Sequence, residues 1–155
     1  NTMNIIGELQ DREKYIPMVI HAVMNRKELS VHASASGEVG SRFYLHARNQ
    51  ADALLFLLNN VEPSYYSKGE AIRHFNIVGE KELTNLEIAK LVAEYANRPL
   101  FYKLVDFHSS RPGHDLRYAL DGTKLKNLGW TPPVSLEDSL KKTVLWSLEH
   151  PEWLL

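Results

Sequence analysis

Residues 111–130 read RPGHDLRYALDGTKLKNLGW and combine two kinds of local structure. The first half gathers arginine, histidine and aspartate around a Pro-Gly pair, which favours a tight turn on a loop. The second half predicts a short helix that ends at Gly129. A charged loop followed directly by a short helix lacks the regular alternation of a βαβ unit, and the rest of the chain lacks it too. The pattern therefore predicts an α+β fold, mostly helical with short strands, or a helical subdomain attached to something else.

Hydrophobic spacing predicts the other elements. Pro17 is expected at the first position of a helix, with Lys14 on the loop before it. Thr84 and Glu87 form a capping-box pattern that predicts a helix start, and Ser135 predicts another. The helix of residues 49–60 is so apolar that we expect it to be buried on most sides. Strands are predicted over residues 29–32, 42–46, 73–79 and 99–107.

Composition excludes several classes of protein. A length of 155 residues predicts one domain, covering 1–155. The net charge of −1 predicts no nucleic-acid partner, and the longest apolar run, residues 53–58, is too short to cross a membrane. No cysteine is present, which excludes disulfides and thiolate-metal sites and makes a cytoplasmic location the expectation.

Four basic side chains lie on predicted loops or directly beside one: Lys14 precedes a helix start, Arg42 follows a Gly-rich loop, and Arg111 and His114 flank the Pro-Gly pair. A cation beside a helix N-terminus suits a phosphate group, and arginine offers a planar pair of donors to its oxygens. Convergence of these side chains would create a diphosphate site. The alternatives are ordinary solvated surface charge and a structural turn in which Asp115 and Arg117 pair.

Other chemistry finds little support in the sequence. None of the seven histidines shows an HExxH pattern, so no metal site is predicted. No G-x-S-x-G motif is present, and GEVGSRF at residues 37–43 lacks the third glycine of a dinucleotide fingerprint. We therefore assign no catalytic residue to this chain.

The order of several segments carries a resemblance. NIIGELQDREKYIP, GSRFYLHARNQADALLFLL, HFNIVGEKELTNLEIAKLV, SSRPGHDLRYALDGTKLKNLGW and TVLWSLEHPEW follow one another. They resemble the C-terminal, substrate-binding part of extended short-chain dehydrogenase/reductases, in the NAD-dependent sugar epimerase/dehydratase family. The resemblance implies an N-terminal Rossmann half that holds NAD and a catalytic Tyr-x-x-x-Lys pair. Neither motif occurs here, so we expect that half to be missing and the chain to be inactive and unable to bind NAD alone.

The resemblance also implies a nucleotide-diphosphate sugar as the ligand. Matched position by position, the residues implied to contact it are Asn4, Lys14, Ser30, Val31, His32, Arg42, Asn76, Arg111 and His114. Ile5 departs from the family, which has an asparagine facing the cofactor at this position. The loop of residues 33–40 is about two residues longer than usual, which leaves the preferred base and sugar open.

The implied reaction is that of the dehydratase branch, a nucleotide-sugar 4,6-dehydratase. The alternatives are a 4-epimerase, a decarboxylase, or a stand-alone nucleotide-sugar-binding domain without chemistry. Separation from a Rossmann half predicts unpaired strand edges or exposed apolar surface, and with them a possible homo-oligomer.

Overall fold

The computed structural model describes residues 1–61, 74–106 and 116–154. Helices and short strands are interspersed, which confirms the predicted α+β class. The helices are α1 (Tyr15–Met24), α2 (Ala47–Asn60), α3 (Asn85–Tyr95), α4 (Thr123–Asn127) and α5 (Leu136–Glu149), followed by a 3-10 turn at Pro151–Leu154. The strands are β1 (Ile5–Ile6), β2 (Leu29–Ala33), β3 (Ser41–Phe43), β4 (Leu45–His46), β5 (Glu82–Thr84), β6 (Tyr102–Asp106) and β7 (Arg117–Tyr118).

The strands form three small sheets within the described residues. β1 pairs with β4 and β2 pairs with β6, both in parallel. In the third sheet β3 lies in the middle, antiparallel to β5 and parallel to β7. Parallel pairing requires long crossover connections, so each of these sheets joins distant parts of the chain.

Two hydrophobic clusters hold the elements together. The larger one joins α1, β2, α3 and α5, and its fully buried side chains include Ile20, Val31, Ile88 and Leu140. The smaller one joins β4, α2 and α4 and consists of Leu45, Ala53, Ile77, Leu125 and Trp130. The larger cluster includes Leu29 and Val31 of β2, whereas Ser30 and His32 on the other face of that strand lie outside it.

Helix starts follow the predicted capping residues in two cases. The Thr84 side chain accepts a hydrogen bond from the Glu87 N–H at 3.1 Å, and Glu87 returns a bond to the Thr84 backbone, completing the capping box. Ser135 caps α5 in the same way through the Asp138 N–H. For α1 the prediction was wrong by two residues, because the helix begins at Tyr15 and Pro17 is its third residue.

Three further expectations are corrected. Only Asn49 and Ala53 of α2 are buried. Phe56 and Leu57 pack half-buried against the smaller cluster, and the leucines of the opposite side stay exposed. The expected strand at 42–46 is broken at Tyr44, where the chain leaves the sheet of β3 and enters that of β4. Residues 74–79 form no ladder, only a single bridge from Ile77 to Thr2.

Among the described residues, no helix combines the length and apolar character needed to span a bilayer.

Candidate functional site

A cleft of about 460 Å³ opens where the ends of β1, β2 and β3 meet the start of α1. This volume lies in the range of small-molecule sites. The residues that line the cleft are Asn4, Ile5, Ile6, Gln10, Glu13, Lys14, Tyr15, Ile16, Met18, Leu29, Ser30, His32, Gly40, Arg42, Tyr44 and Asn85. Five of the residues predicted from sequence, Asn4, Lys14, Ser30, His32 and Arg42, are thus brought together, and their role as ligand contacts remains a prediction.

Lys14 occupies the cap position of α1 and lies in the cleft wall. No side chain caps this helix, and no acidic residue lies in its first turn. The unpaired N–H groups and the positive end of the helix dipole therefore remain available to an anion. Among the described residues Lys14 has no salt bridge, whereas Glu13 beside it adds one carboxylate to the same wall.

Arg42 also lines the cleft and lies on β3, the middle strand of the third sheet. Its Nη1 donates to the Ser41 carbonyl oxygen at 2.6 Å and to the Leu116 carbonyl oxygen at 2.9 Å. Its guanidinium carbon lies 5.9 Å from the centre of the Tyr118 ring, a cation–π distance. Gly40 permits this arrangement, because a Cβ there would lie 2.9 Å from the same Leu116 oxygen.

Strand β2 divides its residues between the core and the cleft. Ser30 and His32 line the cleft, whereas Val31 between them is fully buried in the core, as the alternation of a strand requires. The backbone of Val31 is paired with Leu104 of β6. The Val31 side chain therefore cannot reach a ligand in the cleft, and the resemblance-based contact at this position is not made by that side chain.

Two carboxamides in the cleft wall have unsatisfied atoms. The Nδ2 of Asn4 and the Oε1 of Gln10 are both buried, and neither has a hydrogen-bond partner among the described residues. Asn4 also has a φ of 51°, in the left-handed region that few residues other than glycine adopt. Buried polar atoms in folded proteins are nearly always paired with protein, ligand or ordered water, so each of these two atoms can form a hydrogen bond with a group in the cleft.

Sequence reasoning missed a tyrosine pair that positions Asn85. The Tyr15 hydroxyl donates to the Asn85 carbonyl oxygen and the Tyr44 hydroxyl donates to Asn85 Oδ1, each at 2.7 Å. Burial raises the pKa of both tyrosines well above the ordinary value, so both stay protonated donors. Tyr44 could have been found from its position two residues after Arg42 in an extended segment. No sequence signal marks Asn85.

Some predicted site residues lie elsewhere. Asn76 lines a separate cavity, and its carboxamide donates to the Asp121 carbonyl oxygen and accepts from Asn1. Arg111 and His114 lie outside the described residues. Arg117 forms a two-point bond to Glu82 at 2.8 and 2.9 Å. The suggested pairing of Arg117 with Asp115 falls outside the described residues.

A polar cluster of His46, Arg48 and Glu8 lies at the start of α2. His46 Nδ1 accepts a hydrogen bond from the Arg48 N–H at 3.1 Å, and its Nε2 lies 3.2 Å from Glu8. Burial lowers the pKa of His46, which favours the neutral ring with its proton on Nε2. Burial also acts to raise the pKa of Glu8, but hydrogen bonding and the charges of His46 and Arg48 outweigh it and lower that pKa.

The chain is similar to known proteins both in sequence and in structure. No family model matches the sequence. The dTDP-glucose 4,6-dehydratase of Escherichia coli is 33% identical over 163 residues, covering 99% of this chain and 42% of that protein. The structure of DesIV, a dTDP-glucose 4,6-dehydratase from Streptomyces venezuelae with NAD bound, superposes with a TM-score of 0.77 and 28% identity over 98% of this chain and 44% of its own.

A UDP-glucose 4-epimerase from Bifidobacterium longum, in complex with NAD and UDP, has the same TM-score of 0.77 at 19% identity, over 99% of this chain and 48% of its own, and shares the fold alone. Fold and cleft thus define an α+β unit of the extended short-chain dehydrogenase/reductases. Within them, the chain belongs to the sugar epimerase/dehydratase family and is similar to the dTDP-glucose 4,6-dehydratases. It spans less than half the length of these relatives.

Proposed function

We propose that this chain is the substrate-binding part of an NAD-dependent nucleotide-sugar 4,6-dehydratase and that its cleft binds the diphosphate of the substrate. The observation that carries the proposal is the meeting of Lys14, Arg42 and the uncapped start of α1 in one cleft. Each of these features attracts an anion, and together they match a ligand with two linked phosphates.

The two cations would act differently on that ligand. The Lys14 ammonium is an exposed point charge on a flexible stem, so it can follow a phosphate oxygen as the ligand enters. The Arg42 guanidinium is already positioned by the Ser41 and Leu116 carbonyl oxygens, so little conformational entropy is lost when it binds. Arg42 therefore sets the position of the diphosphate, and Lys14 adds charge.

The remaining cleft walls suit the two ends of the nucleotide-sugar. The resemblance puts the base beside β2, where Ser30 and His32 face the cleft. It puts the sugar near Asn4, whose Nδ2 has no partner among the described residues. Fixing the diphosphate between these ends would orient the sugar for reaction, which is the proximity contribution to catalysis.

NAD belongs to the proposed intact enzyme, where a Rossmann half would bind it and it would supply the hydride chemistry. The residues of this chain do not fit the cofactor. Ile5 lines the cleft where the family has an asparagine facing NAD, and its side chain offers no hydrogen bond. We therefore assign no NAD contact to this chain, and the cytoplasmic location expected from the cysteine-free sequence stays a prediction.

Dehydration is favoured over epimerisation by sequence similarity. The Escherichia coli dehydratase is 33% identical over nearly the whole chain, and two dehydratase structures are 27% and 28% identical. The epimerase structures compared are 17% to 25% identical. The proposal predicts that the 155-residue chain alone, mixed with NAD and dTDP-glucose, forms no 4-keto-6-deoxy product. Turnover by the isolated chain would contradict the assignment of a binding part without catalytic residues.

Calorimetric titration of the chain with dTDP, UDP and GDP tests the diphosphate site. Arg42→Ala should weaken binding of the preferred nucleotide about 10- to 100-fold, because a charge-assisted hydrogen-bond pair is lost. Lys14→Ala should weaken it less, and the affinity of the wild-type chain should fall as salt rises.

Arg98→Ala is the matched control, since Arg98 is exposed and lies outside the cleft. Equal affinities for the Arg42, Arg98 and wild-type chains would overturn the proposal. Absence of binding by the wild-type chain to all three nucleotides would overturn it as well.

A further inference from the structure

The Gln10 carboxamide has a defined orientation in the cleft wall. Its Nε2 donates to the Ile5 carbonyl oxygen at 2.7 Å. Rotating the carboxamide by half a turn would bring its oxygen against that carbonyl oxygen, and two acceptors at this distance repel each other. Gln10 Oε1 is therefore the atom without a partner, and it is a pure hydrogen-bond acceptor.

The partner that this oxygen lacks has to be a donor. Phosphate oxygens in the ionised ligand are acceptors, so the diphosphate cannot satisfy Gln10. A sugar hydroxyl can, because it donates one hydrogen bond and accepts others. Asn4 Nδ2, in the same cleft wall, is an unpartnered donor and complements the acceptor side of such a group.

We propose that Gln10 determines specificity for the sugar part of the ligand: its Oε1 accepts a hydrogen bond from a sugar hydroxyl, while Asn4 Nδ2 donates to an oxygen of the same sugar. This inference rests on the proposed function of the cleft. It divides the cleft into a cationic part, Lys14 and Arg42, that holds the diphosphate and a carboxamide part that distinguishes one sugar from another.

The test compares dTDP with dTDP-glucose on the 155-residue chain by calorimetry. We expect the wild-type chain to bind dTDP-glucose about tenfold more tightly than dTDP, as one or two hydrogen bonds allow. Gln10→Met keeps the volume of the side chain and removes the acceptor. We expect this variant to bind dTDP as the wild type does and to lose the tenfold gain from the sugar.

Gln50→Met, on α2 and outside the cleft lining, is the matched control and should keep the gain. A purely structural role of Gln10 would weaken dTDP and dTDP-glucose equally, and that result overturns the inference. Equal binding of both ligands by the wild-type chain also overturns it, while leaving the diphosphate site intact. Failure of the wild type to bind either ligand overturns the proposed function and this inference together.

A second measurement covers the case in which Gln10→Met does not fold. The wild-type chain is titrated with dTDP-glucose analogues that each lack one hydroxyl. One analogue should lose the sugar gain, and if Gln10→Met folds, that analogue should bind both proteins equally. Retention of the full gain by every analogue overturns the inference.

Discussion

Gly79 lies directly against the backbone of Tyr44, and the structure leaves no room there for a side chain. A Cβ at this residue would lie 2.1 Å from the Tyr44 carbonyl oxygen, at the point where β3 gives way to β4. We expect Gly79→Ala to lower the free energy of unfolding by about 2–4 kcal/mol, measured by urea denaturation.

Gly37→Ala is the contrast for that measurement. Gly37 has a φ of +86°, and a Cβ at this residue would meet no atom within 4 Å, so only backbone strain opposes alanine there. We expect a loss of about 1 kcal/mol. Equal losses for the two variants would show that the contact of Gly79 with Tyr44 is not tight.

His46 predicts a pH-dependent contribution to stability. Its pKa is lowered by burial, so the folded chain binds fewer protons than the unfolded chain just below the ordinary value of 6.5. The contribution is therefore present above that value and is lost as the pH falls toward the folded pKa. We expect urea denaturation to give a lower free energy of unfolding at pH 5.5 than at pH 7.5.

His46→Asn is the matched variant, because asparagine also caps helices and does not titrate. The loss between pH 7.5 and 5.5 should be smaller in this variant. Glu8 does not confuse the comparison, since its lowered pKa lies below the ordinary 4.5 and its contribution is lost only at more acidic pH. An unchanged pH dependence in His46→Asn would contradict the role assigned to the imidazole.

At the scale of single elements, the start of α3 depends on its capping box. We expect Thr84→Ala to lower the free energy of unfolding by about 1 kcal/mol, because the Glu87 N–H loses its side-chain acceptor. Thr123→Ala is the control, since Thr123 is also near a helix start but provides no side-chain cap. Similar melting temperatures for the two variants would contradict the capping role.

Caps could be predicted from sequence because both partners lie within three residues of each other, as Thr84 and Glu87 do. The break of the expected strand at Tyr44 could not, because it depends on which distant strands pair with β3 and β4. The exposure of α2 could not be predicted for the same reason. The sequence shows that this helix is apolar, but it does not show how much of the helix other elements cover.

At the scale of the whole molecule, the cationic residues of the cleft could be predicted from the sequence, whereas the roles of its carboxamide side chains became visible only in the structure. Lys14 and Arg42 were recognisable because charge next to a helix start or a Gly-rich loop is a local signal. Gln10 and Asn85 were not, because their roles arise from the Ile5 carbonyl oxygen and the Tyr44 hydroxyl, which only the tertiary structure brings near.

The apolar outer face of α2 predicts association of the isolated chain. Leu54, Leu55 and Leu58 are 47%, 60% and 78% exposed. Apolar side chains grouped on one helix favour contact with another apolar surface. We expect sedimentation velocity to show concentration-dependent association, and we expect replacement of all three leucines by glutamine to reduce it.

Replacement of Leu9, Leu128 and Leu145 by glutamine is the control, since these leucines are also exposed but lie outside α2. The control should associate as the wild type does. A wild-type chain that stays monomeric at every concentration would contradict the prediction, as would equal effects of the two triple replacements.

The pairing of β2 with β6 has a consequence for biosynthesis. Leu29 faces Tyr102 in that ladder, so the strand that carries Ser30 and His32 waits for a neighbour that emerges from the ribosome roughly seventy residues later. The β2 wall of the cleft is therefore incomplete until β6 has been synthesised, and a ligand that needs the finished wall cannot bind the nascent polypeptide before that point.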